Sequence, residues 1–113
     1  MAHKGYTLNY FLDFFRNTTP GEWVCGTERD EDCKGNAKFC AIGFAGAYDE
    51  DGSATTKARE AALLSLIPEI VDVNDATSST DTYNSLGKTP RARVLKAIQL
   101  RKKLGTNWNE DLE

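Results

Sequence analysis

The chain has 113 residues, the size of one ordinary domain, and 40% of them are hydrophobic, enough for one modest core and too many for a disordered chain. No apolar run approaches the roughly 20 residues that span a bilayer, and the first fifteen residues lack the smooth apolar core and cleavage site of a signal peptide, so no membrane partner is expected. The net charge of −3 hides an asymmetry: residues 88–103 carry seven cations and no acid, whereas residues 1–87 carry seven cations and fourteen acids. A field split this way orients a partner or pairs a basic helix with an acidic body, and internal pairing is the first expectation.

Leu8, Phe11, Leu12 and Phe15 recur at helical spacing, with Asn9, Asp13 and Arg16 on the other side, which predicts an amphipathic first helix. Pro20 and Gly21 break it. Val24 to Asn36 is polar, acidic and glycine-punctuated, and reads mainly as loop, with one short strand or hairpin allowed within 22–36. "AKFCAIGFAGAY" comes next, with Cys40, Phe44, Ala47 and Tyr48 on one helical face and a buried strand as the alternative. Gly43 and Gly46 each weaken a helix by about 1 kcal/mol relative to Ala, which close approach of another helix would compensate.

A third helix is predicted from Thr55 or Thr56, with Thr56 as its cap and Ala62, Leu63, Leu66, Ile67 and Ile70 as its apolar stripe; Pro68 ends or kinks it. "DVNDATSSTDTYNSLGK" reads as a long polar loop. Thr89-Pro90, an N-cap followed by proline at the first helical position, starts the last helix. That helix is expected to bury Val94, Leu95, Ala97, Ile98 and Leu104, to keep Lys96, Gln99 and Lys103 wet, and to stop at Gly105. The sum is a mainly α protein, one domain of about four helices with irregular loops spanning 1–113.

Few motifs carry chemistry. Asp49, Asp51, Ser53 and Glu60 occupy positions 1, 3, 5 and 12 of a calcium-loop window. However, Ala54 stands where the sharp turn wants Gly and Lys57 brings a cation to position 9, so an Asp-Gly turn before a capped helix is the preferred reading. Cys25, Cys33, Cys40 and His3 would be the ligands of a zinc site, but no close pair exists to form a knuckle. No metal and no cofactor is therefore expected. An odd cysteine count without a secretion signal argues for reduced thiols in a cytosol. Cys40 on its apolar face reads as core, and the one histidine near the start of the chain is poorly placed as a base, so catalysis is disfavoured. Nucleic-acid binding has one supporter, the basic last helix, whose cations are scattered around its circumference.

Several segments arrive in a familiar order: Trp23 and Gly26 after the proline-glycine turn, an acidic loop, "FCAIGF" at 39–44, "AALLSLI", "VNDA" at 73–76 and "TPRARVLKAIQL" at 89–100. Over about 22–104 the chain resembles an uncharacterised family of small bacterial and phage proteins, a domain of unknown function with W-C-x-x-G-A-L, N-D and R-x-x-V-L-x-A motifs. Phe39 stands where that family tends to have Trp, and Phe44 where it has a small residue. The resemblance implies that Cys40, Gly43, Asn74 and Asp75 act together. Asn74 and Asp75 would cap or cross-link helix ends, while Cys40 and Gly43 would let helices approach.

The resulting expectation is a small accessory protein, phage or prophage encoded, in the cytoplasm of a bacterial host. It would bind a host or phage protein, with Arg91, Arg93, Lys96, Arg101 and Lys103 as the contact residues. The alternatives are a small-ligand or enzymatic site around Cys40, Asn74 and Asp75, and nucleic-acid binding through the same basic helix.

Overall fold

The computed structural model describes residues 6–25, 29–31, 37–47, 54–76 and 82–110. The fold is mainly α. Helix α1 (Leu8–Arg16) opens on Thr7, whose hydroxyl accepts from Tyr10 N at 3.1 Å, and turns Phe11, Leu12 and Phe15 inward. The predicted stripe is the observed one, with Leu8 at its partly buried edge. Thr18 and Trp23 then tie the exit down, Trp23 Nε1 donating to Thr18 Oγ1 at 2.8 Å. Trp23 is only 5% exposed.

Strands β1 (Arg29–Glu31) and β2 (Ala37–Phe39) form an antiparallel pair with Arg29 opposite Phe39 and Glu31 opposite Ala37. The hairpin therefore lies partly downstream of the expected 22–36 window. Trp23 adds a single parallel bridge to Phe39. The two readings of "FCAIGF" both hold in part. The strand takes the chain as far as Phe39, and a helical turn starts at Ala41 and widens to π geometry over Gly43–Ala47.

Helix α2 (Ala54–Leu66) begins earlier than the expected Thr55 or Thr56, so Thr56 sits inside the helix and does not cap it. Its Arg59 donates from Nε to Ala45 O of the π-helical turn and lays its guanidinium 4.7 Å from the centre of the Phe14 ring. Ala62, Leu63 and Ile67 are buried, and Pro68 ends the helix, as its missing donor requires.

The predicted long polar loop, residues 72–88, is the main correction. A short helix, α3 (Ile70–Asn74), runs into its start and buries Ile70, Val73 and Asn74, and a 3₁₀ turn over Thr82–Leu86 lies within it. Helix α4 (Pro90–Leu104) starts where Thr89-Pro90 places it, Thr89 Oγ1 accepting from Ala92 N at 3.1 Å. It packs against α1, α3 and the 3₁₀ turn. Gly105, at φ 77°, supplies the positive backbone angle that terminates it. Leu104, expected inside, is 49% exposed. Its place is taken by Trp108, 2% exposed, whose ring stacks on Tyr83 at 5.7 Å.

One hydrophobic cluster unites α1, Trp23, Cys40 to Ala45, α2, α3, α4 and Trp108. Aromatic rings on its α1 side run from Tyr6 through Tyr10, Phe11, Phe14 and Phe15 to Trp23 and Phe44. Among the described residues no helix is long and apolar enough to cross a membrane.

Candidate functional site

An α-helix leaves its last carbonyls without internal partners. Three of the other segments' helix ends here are finished by arginines of α4. Arg91 Nη2 donates to Arg16 O, the last residue of α1, at 3.1 Å. Arg101 Nε donates to Leu66 O, the last residue of α2, at 3.2 Å. Arg93 serves α3: Nε donates to Val73 O at 2.9 Å and Nη2 to Asn74 O at 2.8 Å. Its Nη1 adds Gly87 O at 3.2 Å, and Nη2 also reaches Cys25 Sγ at 3.6 Å. A cation at a helix C-terminus is favoured by the macrodipole as well as by the hydrogen bonds. The planar guanidinium of Arg93 offers five fixed donors, which is why one side chain can serve three carbonyls.

This corrects two expectations. The cations of α4 were expected to pair with an acidic body, whereas its three arginines find neutral carbonyls. Arg93 was expected at a partner surface and is 1% exposed. Arg91 and Arg101 are half-buried, and of the five expected contact residues Lys96 and Lys103 are exposed. Gly87 belongs to the same arrangement. A Cβ there would lie 2.8 Å from Ala92 Cβ and 3.1 Å from Arg93 N, so only glycine lets its carbonyl come this close.

Asn74 forms the neighbouring knot. Its Oδ1 accepts from Ala41 N at 3.0 Å, capping the helical turn that begins there. Its Nδ2 donates to Val24 O at 3.0 Å and to Asp75 Oδ1 at 2.9 Å. One acceptor and two donors are thus all used in a side chain 1% exposed. Cys25 closes the knot by donating its thiol proton to Asn74 O at 3.3 Å. Burial pushes the Cys25 thiol above its ordinary range. The Arg93 guanidinium opposes that shift and the Asp75 carboxylate reinforces it, so the group is a protonated thiol at neutral pH.

Of the four residues that the family resemblance links, Asn74 and Asp75 are joined directly, and Cys40 precedes the Ala41 amide that Asn74 caps. Cys40 itself is 6% exposed within the hydrophobic cluster, and Gly43 is buried in the π-helical turn. Asp75 lines a cleft of about 270 Å³ with Asp72, Thr82 and Tyr83, and Cys40 and Asn74 are not among the residues lining it. Asp49, Asp51 and Ser53 of the calcium window lie outside the described residues, as do His3 and Cys33 of the zinc set. Residues 54–60 of that window belong to helix α2. Among the described residues no three metal-ligating side chains cluster.

Two lysines of α4 meet a cation of α1 elsewhere. Arg16 of α1 and Lys102 and Lys103 of α4, with Gln99, rim a groove of about 410 Å³ that has Leu12 among its walls. Lys102 Nζ donates to Asn9 Oδ1 across the α1/α4 seam, which holds its ammonium over the groove. Sequence reasoning named Lys103 but missed Arg16 and Lys102, because only the pairing of α1 with α4 brings them together. No family model, curated protein or solved structure matches the chain. The family resemblance therefore stands on its motifs alone.

Proposed function

We propose that this chain is a small accessory binding protein whose α1/α4 groove receives an acidic, aliphatic-bearing segment of a partner protein. The single observation that carries this reading is the groove lined by Arg16, Lys102, Lys103, Gln99 and Leu12. Three cations around one recess raise the local concentration of carboxylates, and an apolar wall rewards an adjacent aliphatic side chain. The setting that the motif resemblance implies is phage or prophage, with the partner a host or phage protein in the bacterial cytoplasm. A duplex-reading surface is supported less well, since three of the cations it would use are spent on helix ends.

Fluorescence anisotropy with a labelled synthetic peptide of alternating Glu, Asp and Leu tests the reading, with a labelled DNA duplex beside it. The peptide is expected to bind at low salt, and the Lys102→Glu/Lys103→Glu variant to lose about tenfold or more in affinity, since each exposed ion pair contributes up to about 1 kcal/mol and reversal adds repulsion. No peptide binding at low salt would remove the proposal. Tighter binding of the duplex, with a steep loss as salt rises, would replace it with the nucleic-acid reading.

A further inference from the structure

Arg93 and Lys102 are nine residues apart on α4, and at about 100° per residue they point to opposite sides of the helix. Lys102 faces α1 and the basic groove, and Arg93 faces α3. The chain beyond Gly105 leaves on the α3 side. Trp108 stacks on Tyr83, Asn109 Nδ2 donates to Tyr83 Oη at 2.9 Å, and Tyr83 borders the cleft lined by Asp72 and Asp75. Glu110 follows at once, and residues 110–113 read Glu-Asp-Leu-Glu. One side of α4 is thus basic with an apolar wall and the other is acidic, and the sequence from Glu110 to Glu113 combines three carboxylates with one leucine.

We infer that copies of this chain associate head to tail, residues 110–113 of one copy occupying the α1/α4 groove of the next. The inference rests on the groove being an acid-binding surface, as proposed above. Charge and shape select this occupant: Glu110, Asp111 and Glu113 answer Arg16, Lys102 and Lys103, and Leu112 answers Leu12. The contacts of Trp108 and Asn109 with Tyr83 hold the chain leading to Glu110 on the α3 side of α4, away from the groove of its own molecule. A contact between two different patches is heterologous, so it adds copies to an open chain or a ring, and it competes with any partner for the groove. The protein at high concentration then shields its own binding site.

Sedimentation velocity of the full chain across a concentration series, at low and at high salt, reads this out. The expected result is a mass that rises with concentration at low salt and returns to the monomer at high salt. The Glu110→Gln/Asp111→Asn/Glu113→Gln variant is expected to associate about tenfold more weakly while binding the labelled acidic peptide as the parent does. The Lys102→Glu/Lys103→Glu variant is expected to lose both, and mixing it with a Glu110→Lys/Asp111→Lys/Glu113→Lys variant is expected to restore association. A parent chain that stays monomeric at low salt yet binds the peptide overturns this inference and leaves the groove proposal standing. Failure of both association and peptide binding overturns both. Association that survives in the Gln/Asn/Gln variant places the contact on another surface and overturns the inference as well.

Discussion

Replacing Arg93 by Met is expected to cost about 2–4 kcal/mol of folding stability, because carbonyls at the end of α3 lose their donor. Methionine has the length and apolar character to fill the space, so lost volume does not account for the effect. The loss comes mainly from the buried carbonyl of Val73, with smaller shares from Asn74 O, which keeps the Cys25 thiol, and from the half-buried Gly87 O; Arg93 now serves all three from a side chain 1% exposed. Each buried acceptor left without a donor costs about 1–3 kcal/mol, offset in part because the guanidinium no longer has to be desolvated. Lysine should recover less than half of the loss. Its ammonium keeps the charge, but it is a compact point that cannot reach three carbonyls set out around a planar fork. Urea denaturation of the parent, Arg93→Met and Arg93→Lys proteins measures this ordering. A methionine variant within about 1 kcal/mol of the parent would mean that these hydrogen bonds contribute little net stability.

Trp108→Ala is expected to cost about 3–5 kcal/mol, the usual loss for truncating a buried aromatic ring to a methyl group. The ring is 2% exposed, belongs to the central cluster and lies 25° from coplanar with Tyr83. Its loss opens a cavity and removes the support that lets Asn109 bond Tyr83 Oη. Trp108→Phe keeps most of the apolar area and should recover the larger part. Trp23 is the other tryptophan of the chain, so its fluorescence follows unfolding in both variants. A Trp108→Ala protein as stable as the parent would show that the segment after Gly105 lies outside the cooperative core.

The elements legible in the sequence are those whose signals are local. The Phe11, Leu12, Phe15 stripe and the Thr89-Pro90 start each fix a helix through neighbours within one or two turns. Cys40 was readable as core from its apolar surroundings. Helix α3 was not, because Val73 and Asn74 lie in a stretch whose composition is polar, and Asn74 is buried only by virtue of Val24 and Ala41, remote in sequence. Trp108 was hidden behind Gly105, which ends the helix without ending the fold. The charge of residues 88–103 was visible, but its use was not. Whether an arginine meets a partner or a carbonyl depends on which helix ends α4 passes, and that is a tertiary fact. The same holds for the basic groove, whose Arg16 and Lys102 lie on different helices.

The capping role of α4 explains how a helix so rich in cations can lie at the centre of a small protein. Its arginines finish the ends of α1, α2 and α3, and its Lys102 and Lys103 join Arg16 of α1 around the basic groove. Hydrogen exchange of the arginine side chains, followed by ¹H–¹⁵N NMR, tests this claim most directly. The account predicts that the Arg93 Nε–H, bonded to Val73 O and closed off from water, exchanges as slowly as the core amides of α4. An Arg93 Nε–H that exchanges as fast as that of an unstructured peptide would contradict it.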